Sequence, residues 1–241
     1  MTSIKKIGPE LNAYKFSFDE KKLDEIRRVY REHVFPLLET PEVAGLFKGG
    51  KNKFGPIGLK DQLYYYATYD EEPLLWISNN NQHTYEQFKE VFGALNFKEA
   101  VKPLVDFEED ITFYSGFFVV CNHAHNKAWH LDYAVGANAY TLITPLFPLE
   151  NGHGNLLYKD QYGDEQTYVY KTGEAVFFGD HFSHATEPYS LVEIPRILLS
   201  LTFGTDKLQY WDTLRLTIGG QSEFLVMPCG HQSGSCKCLL E

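Results

Sequence analysis

The sequence predicts a mainly β protein of the sandwich or jelly-roll type (α+β), with N-terminal helices that support one face of the sheets. Aromatic residues make up 15% of the chain, and such a content favours a β-rich core. From Ile111 onward, short runs of Val, Ile, Thr, Tyr and Phe are separated by Gly, Asn, Asp and Pro. This pattern is typical of successive strands. No helical periodicity interrupts the runs, which favours antiparallel sheets.

The chain of 241 residues is long enough for one large domain, and we expect a single domain over residues 1–241. Within it, residues 1–108 are expected to form a helical buttress with substrate-side elements, 109–220 the β core, and 221–241 a cysteine-rich tail. The predicted strands of the core are 111–120, 129–134, 139–147, 155–158, 166–170, 175–178, 195–203 and 213–218.

Two amphipathic helices are predicted before the β core. The first covers residues 19–39, with Asp19 as its N-cap and apolar residues recurring every three to four positions until Pro36 and Pro41. The second begins with Thr84 as its cap and carries Phe88, Val91, Phe92 and Leu95 on one face. Between the two helices, residues 49–58 are rich in Gly and Lys and predict a loop or lid.

Charge and composition exclude several classes of function. The formal net charge of −10 and the absence of a dense Lys/Arg cluster argue against a nucleic-acid partner. The N-terminus lacks the apolar core of a signal peptide, and no apolar run approaches the roughly 18 residues that span a bilayer. Three of the four cysteines crowd the end of the chain, which is not a disulfide framework. A cytoplasmic protein without membrane association is expected, and its oligomeric state is left open.

A candidate metal site lies in the β-rich half of the chain. His130 and Asp132 are two residues apart, a spacing that places both side chains on one face of a strand. His184 offers a third ligand. Two imidazoles and one carboxylate leave three positions of an octahedron open, which suits Fe(II) binding a bidentate co-substrate and O2. By itself, His-x-Asp is a weak motif, and a hydrogen-bonded pair on a surface strand is the alternative.

Arg196 follows His184 by 12 residues and lies within an apolar run, Ile194 to Phe203. A guanidinium in an apolar strand is costly unless it is paired. It suits a two-pronged contact with the distal carboxylate of a dicarboxylic acid. The alternatives are an ion pair with a residue such as Glu193, or exposure on the outer face of the sheet. The occurrence of His-x-Asp, His and Arg in this order and on strands favours a functional site.

On these residues the sequence resembles the Fe(II)/2-oxoglutarate-dependent oxygenases with a double-stranded β-helix core. The resemblance covers roughly residues 110–205 and rests on Trp129–Asp132, on Gly173–Asp180 leading to His184, and on Arg196. It implies iron at His130, Asp132 and His184, with O2 and with 2-oxoglutarate whose far carboxylate meets Arg196. His181 competes for the third ligand position, but its longer gap to Arg196 fits the family less well. Residues 1–105 carry no such resemblance and are expected to be substrate-specific.

Further contacts to the cofactor are predicted from strand spacing. Asn122, before the metal motif, is a candidate for hydrogen bonding to the keto acid. Tyr140 and Thr144 share a face of the following strand and are candidates for contact with the distal carboxylate. Ser200 shares a face with Arg196. For each of the four, an ordinary core or surface position is the alternative.

The resemblance implies hydroxylation of an unactivated C–H bond with release of succinate and CO2. A carboxylate at Asp132 disfavours halogenation, since halogenating members generally have a small residue there, whereas desaturation and ring closure use the same ligands. A small molecule such as an amino acid is the expected substrate, and a peptide or protein side chain the second candidate. A cupin-like metal enzyme without 2-oxoglutarate and a non-catalytic β-sandwich binding module remain alternatives.

The tail contains a second set of potential metal ligands, Cys229, His231, Cys236 and Cys238. Four such ligands in ten residues are enough for one tetrahedral zinc. Their spacing matches none of the usual zinc-finger patterns, and the segment is rich in Gly and Ser. A disordered tail with reactive thiols is therefore the alternative.

Overall fold

A computed structural model describes residues 3–44, 53–59, 61–69, 72–150 and 153–238, and in these ranges the chain forms two antiparallel sheets. The strands are β1 (Lys5–Lys6), β2 (Ala13–Ser17), β3 (Lys53–Leu59), β4 (Gln62–Tyr69), β5 (Glu72–Asn79), β6 (Thr112–Cys121), β7 (Ala139–Pro145), β8 (Leu156–Lys159), β9 (Glu165–Tyr168), β10 (Glu174–Phe178), β11 (His184–Thr186) and β12 (Arg196–Gly204). The major sheet has the order β1-β2-β10-β7-β12-β6-β5-β4-β3, and the minor sheet has the order β11-β8-β9. The predicted jelly-roll class is confirmed.

The helices are short apart from one. They are α1 (Asp24–Val29), α2 (Phe35–Leu38), α3 (Pro41–Ala44), α4 (Gln82–Ala94), α5 (Lys98–Val101) and α6 (Trp211–Ile218). Single 3-10 turns lie at Glu20–Leu23, Lys102–Leu104 and Leu208–Tyr210, and a π-helical turn lies at Tyr30–Val34. Within the described ranges, every helix is too short or too polar to cross a bilayer.

The two faces of the major sheet contact different layers, as β12 shows. Leu199 and Phe203 belong to the large core beneath the helices, together with Phe88 of α4. Leu198 belongs to a second core, which includes residues of the minor sheet. Because side chains alternate along a strand, Arg196 lies on the same face as Leu198. The candidate site therefore lies on the face of the major sheet that is turned toward the minor sheet.

The two predicted helices are present with changed detail. Asp19 caps the first, as predicted, and accepts a hydrogen bond from the Lys21 amide. That helix passes through the π-helical turn immediately before Pro36, because proline cannot donate the hydrogen bond that a regular α-helix needs at that position. In α4 the apolar face is buried as predicted, but its N-cap is Asn81, and Thr84 is the reciprocal partner in a capping box.

Two predicted strands are wrong. In the segment 129–134 only His130 forms a β-bridge, and the chain then turns. The segment 213–218 is part of α6. Its sequence alternates apolar and polar residues as a strand would, but Leu214 and Ile218 are also four residues apart. In the helix these two side chains are buried while Leu216 is 75% exposed, so tertiary packing selects the helical periodicity.

Six strands, β1 to β5 and β11, were not predicted, and the first five make the helical description of residues 1–108 incomplete. Of the predicted loop at 49–58, residues 53–58 lie in β3, and 49–52 are outside the described residues. Strands β3, β4 and β5 extend the major sheet outward from β6, and β2 pairs with β10. The partner strands of β2 and β5, which are β10 and β6, are distant from them in sequence. The tyrosine-rich run of β4 does not alternate strictly between apolar and polar residues.

Gly116 lies where α4 packs tightly against the sheet. A Cβ at this position would lie 2.5 Å from Cβ and Cγ of Phe88, whereas a Cβ at Gly93 on α4 would meet nothing within 4 Å. We expect Gly116→Ala to lower the free energy of unfolding by about 1–3 kcal/mol through overpacking. Gly93→Ala should raise it by up to about 1 kcal/mol, because alanine is the better helix former. Urea denaturation of both variants checks the pair, and a neutral Gly116→Ala would contradict the packing.

Candidate metal centre and buried arginine

The backbone brings His130 and His184 together directly. The two residues form an isolated antiparallel bridge in which each amide donates to the other's carbonyl at 3.0 Å. In such a pair the side chains project from the same side of the ladder. The imidazole centroids are accordingly 4.2 Å apart. The metal motif therefore depends on one pair of main-chain hydrogen bonds between segments 54 residues apart in sequence.

Asp132 reaches the same point from a turn rather than from a strand. Its backbone carbonyl accepts a hydrogen bond from the Thr217 hydroxyl of α6. The next residue, Tyr133, is 1% exposed and accepts a hydrogen bond from the Thr141 hydroxyl through its own phenol oxygen. The turn is thus held between α6 and β7, which orients the Asp132 carboxylate toward the two histidines.

The three side chains form a compact ligand set. Asp132 Oδ1 lies 3.5 Å from His130 Nε2 and 3.6 Å from His184 Nε2. One ligand atom from each residue lies within 4.8 Å of the others, so a single ion can contact all three. The side chain of His130 is 52% exposed and that of His184 is 6% exposed. The cluster is therefore open to solvent on the His130 side and closed on the other.

Second contacts orient both imidazoles. His130 Nδ1 is 2.8 Å from the Ala128 carbonyl, and His184 Nδ1 is 3.0 Å from the Phe182 carbonyl. When a metal ion is bound, a proton on each Nδ1 makes it the donor in these contacts, and the Nε2 of each ring is left to bind the ion. This is the usual arrangement of metal-binding histidines.

The protonation states also suit a metal ion. Burial raises the pKa of Asp132, but the charge of His184 and hydrogen bonds from His130 and Thr141 outweigh it, so the pKa lies below its usual value. Burial lowers the pKa of His184, although Asp132 partly offsets this effect. At neutral pH the carboxyl is ionised and His184 is neutral, which are the forms that bind metals.

Arg196 is fully buried beside this cluster, with 1% exposure. Its Nη1 donates to the Gly154 carbonyl at 2.6 Å and its Nη2 to the Thr186 hydroxyl at 3.3 Å. Its guanidinium also lies 5.5 Å from the ring centre of Tyr189. Within the described residues Nε has no hydrogen-bond partner, and no carboxylate pairs with the guanidinium. The predicted alternative, an ion pair with Glu193, is not formed.

Thr186 sets the separation between Arg196 and the metal cluster. It follows His184 by two residues on β11, so both side chains face the same way, about 7 Å apart along the strand. The buried Tyr170 is close enough to both groups for their charges to act on its pKa. Burial raises the pKa of Tyr170 to about 12, Arg196 lowers it, and Asp132 raises it. The metal cluster and the guanidinium are therefore only a short distance apart, and the Tyr170 phenol feels the charges of both groups.

Among the other predicted residues, Ser200 is placed with Arg196. It is fully buried on the same face of β12, and its hydroxyl has no partner in the described part of the chain. Asn122 lies just beyond β6, where its side-chain oxygen is 2.6 Å from His123 Nδ1 and its carbonyl accepts from the Val192 amide. Neither contact of Asn122 involves the metal cluster or the arginine.

Tyr140 and Thr144 face away from the site. Tyr140 stacks on Phe203 in the core beneath the helices and donates to Asn12 Oδ1 or the Leu104 carbonyl. The Thr144 hydroxyl donates to the Glu174 carbonyl. The sequence of β7 is apolar on both faces, so its alternation does not decide which face turns inward. In the structure it is the odd-numbered residues, Thr141 among them, that face the metal cluster.

The structure distinguishes between His184 and His181, the two candidates for the third ligand position. His181 has a positive φ of 62°, and its side chain is 61% exposed. The preceding Asp180 accepts hydrogen bonds from Asn12 Nδ2 and from the Gly136 amide, which fixes this turn. His184 alone of the two belongs to the metal cluster. Sequence reasoning did not identify Gly154, Thr186, Tyr170 or Tyr189, because none of them belongs to a local motif.

The chain shares its fold with solved structures despite low sequence identity. It matches AviO1 from Streptomyces viridochromogenes Tue57 at 11% identity and a TM-score of 0.53, covering 80% of this chain and 90% of that one. It matches EvdO2 from Micromonospora carbonacea var. aurantiaca at 15% and 0.52, covering 84% and 93%. It matches SnoK, a non-haem α-ketoglutarate-dependent carbocyclase from nogalamycin biosynthesis, at 11% and 0.52, covering 82% and 81%.

Comparisons at the level of sequence gave no relative. No protein-family model matches the chain, and no curated protein matches it. The structural matches show that the chain has the fold of these proteins, one of which, SnoK, is α-ketoglutarate-dependent.

Proposed function

We propose that this protein is an Fe(II)- and 2-oxoglutarate-dependent oxygenase that hydroxylates an unactivated C–H bond of a small molecule, with release of succinate and CO2. One observation carries the proposal: a two-histidine, one-carboxylate cluster lies near a buried guanidinium that has no acidic partner among the described residues. The shared fold with SnoK and the other two structures supports it.

His130, Asp132 and His184 fit Fe(II). Two neutral imidazoles and a carboxylate on one side of an ion form the facial triad of non-haem iron oxygenases, which leaves positions for other ligands. The Nε2 atoms of His130 and His184 lie 3.5 Å and 3.6 Å from Oδ1 of Asp132, so the three ligand atoms converge. Bound iron, with the keto acid and O2, supplies the oxidising chemistry that the side chains of the protein lack.

Arg196 fits the far carboxylate of 2-oxoglutarate. A buried, unpaired cation is costly, and a carboxylate that approaches its free Nε–H removes that cost. Thr186 places the guanidinium about two strand residues from His184, a span that a five-carbon dicarboxylate can cover. Tyr170, with its pKa of about 12, stays protonated at neutral pH and offers a hydrogen-bond donor rather than a competing anion.

Aromatic side chains exclude water from the closed side of the cluster. The rings of Phe178 and Phe182 lie 4.5 Å and 5.7 Å from that of His184, and both are fully buried. The open side is at His130, where a substrate would approach. Asp132 fills the ligand position that halogenating enzymes leave free, which favours hydroxylation, and the acidic chain favours a small molecule over nucleic acid.

The test is an anaerobic titration of the metal-free protein with Fe(II) and 2-oxoglutarate. We expect a visible charge-transfer band that saturates at one iron per chain and is lost in His130→Ala. His181→Ala, which changes an exposed histidine outside the cluster, is the matched control and should keep the band. Iron binding without the band would favour a cupin-like enzyme that does not use 2-oxoglutarate. Absence of stoichiometric iron would favour a non-catalytic binding module.

A further inference from the structure

The cysteine-rich tail is folded in its described part, which ends at Cys238. Val226 forms a β-bridge with Gln232, the Met227 amide donates to the His231 carbonyl at 2.8 Å, and the Ser233 amide donates to the Leu225 carbonyl at 2.9 Å. We call residues 225–238 the C-terminal hairpin. Gly230, with φ of +77°, provides the left-handed residue that reverses the chain.

This hairpin gathers four ligand atoms that the oxygenase site does not use. Cys229 Sγ lies 3.4 Å from Cys236 Sγ, and Cys238 Sγ lies 3.5 Å from His231 Nδ1. One ligand atom from each of the four residues lies within 4.8 Å of the other three. The backbone amide of Cys238 also donates to Cys236 Sγ at 3.4 Å, an interaction that favours a thiolate.

The spacing of these atoms matches the edges of a zinc tetrahedron. Zn–S and Zn–N distances of about 2.3 Å and 2.0–2.1 Å give S···S edges of about 3.8 Å and S···N edges of about 3.5 Å in a regular tetrahedron. Both measured contacts lie within about 0.4 Å of these edges. With all four ligand atoms within 4.8 Å of one another, small side-chain adjustments suffice to bring them to one ion.

We propose that Cys229, His231, Cys236 and Cys238 bind one structural Zn²⁺. Three thiolates and one imidazole are the ligands that zinc prefers, and they disfavour the hard cations that require oxygen. All four tetrahedral positions are filled by protein, so no position remains for a substrate or a reactive water. The site is distinct in composition from the two-histidine, one-carboxylate cluster and does not depend on its proposed function.

The location of the hairpin gives the ion a structural task. The Val226 amide donates to the Tyr114 carbonyl at 3.2 Å, and the Thr112 hydroxyl donates to the Pro228 carbonyl at 3.1 Å, so the hairpin is attached to the start of β6. Cys229 and Cys236 pack against a core cluster that contains Tyr133 and residues of α6. That cluster supports the Asp132 turn. Zinc bound in the hairpin, outside the oxygenase site, would therefore stabilise the elements that orient the Asp132 side chain.

An alternative use of the thiols is a disulfide between Cys229 and Cys236. Their sulfur atoms are 3.4 Å apart, well beyond the bond length of about 2.05 Å. Such a bond would also give no role to the approach of Cys238 and His231, which the tetrahedron explains.

The experiment measures metal content in His130→Ala, because this change removes a ligand from the other candidate site. The protein is purified without chelator from zinc-supplemented medium, and zinc is determined by plasma mass spectrometry. We expect about one zinc per chain, and loss of that zinc in the double variant His130→Ala, Cys238→Ser. The matched control, His130→Ala with Ser235→Ala, changes an exposed residue between two ligands and should retain the zinc.

A second measurement does not depend on the folding of any cysteine variant. Cobalt added to the demetallated wild-type chain should produce intense thiolate-to-cobalt charge-transfer bands together with the d–d bands of tetrahedral coordination. Absence of both zinc and these bands, with the tail thiols readily alkylated in the native protein, would overturn the proposal. A mass lower by two hydrogens, mapped to a Cys229–Cys236 disulfide in the purified protein, would overturn it too.

Discussion

Replacing Asp132 by alanine is expected to abolish the charge-transfer band of the Fe(II)–2-oxoglutarate complex and to lower turnover by more than about 100-fold. Loss of a residue that only orients a metal ligand typically costs 10–100-fold in affinity or activity, and Asp132 is a ligand in the proposed site. Its removal also deletes the only carboxylate of the cluster, which leaves two neutral imidazoles to hold a divalent cation.

The measurement combines anaerobic iron titration with succinate formation in the presence of 2-oxoglutarate. Asp212→Ala is the matched control, because Asp212 is 87% exposed on α6, the same helix that supports the Asp132 turn through Thr217. It should retain both the band and succinate formation. An Asp132→Ala protein that binds iron as tightly as the wild type would refute the assignment of this residue.

Replacing Arg196 by methionine is expected to raise the KM for 2-oxoglutarate by a factor of about 30 to several thousand. Truncating one partner of a buried, hydrogen-bonded charge pair costs roughly 2–5 kcal/mol, and each 1.4 kcal/mol corresponds to tenfold in affinity. Methionine fills most of the volume but provides no N–H group. Iron binding in the absence of 2-oxoglutarate should be unchanged, since Arg196 does not contact the three metal ligands.

Thermal unfolding distinguishes a cofactor contact from a purely structural arginine. Without 2-oxoglutarate, Arg196→Met should be at least as stable as the wild type, because the change removes a buried cation that lacks an acidic partner in the described residues. With Fe(II) and 2-oxoglutarate, the wild type should gain stability and the variant should not. A large loss of stability without cofactor would instead indicate that the bonds to Gly154 and Thr186 are the main role of Arg196. Arg215→Met, at an exposed position, is the control.

The candidate site could be predicted to the extent that it is encoded locally. His130 and Asp132 form a short motif, and a buried arginine within an apolar strand is conspicuous in any sequence. Their metal and cofactor roles stay predictions until iron is titrated. The contacts that complete the site, from Gly154 and Thr186, come from segments without a motif. Only the pairing of β11 with β8 and the packing of the two sheets bring them together.

The zinc hypothesis also shows what sequence spacing alone could not decide. Sequence spacing placed four potential ligands, three cysteines and one histidine, within ten residues but matched no usual pattern, so a disordered tail remained the alternative. The hairpin hydrogen bonds and the attachment of Pro228 and Val226 to β6 argue against the disordered tail, since they order the segment and bring Cys229 Sγ and Cys236 Sγ to 3.4 Å, whereas zinc binding stays a prediction.

By itself, the sequence determined the jelly-roll class, the buried face of α4 and the strands β6, β7, β10 and β12, because continuous apolar runs and fixed periodicities are local properties of the chain. Tertiary structure alone decided three things: the inward face of β7, the helical state of 213–218, and the extension of the major sheet by β1 to β5. In each case the local pattern allowed two conformations or two faces. Burial against residues distant in sequence selected the one that removes more apolar surface from water.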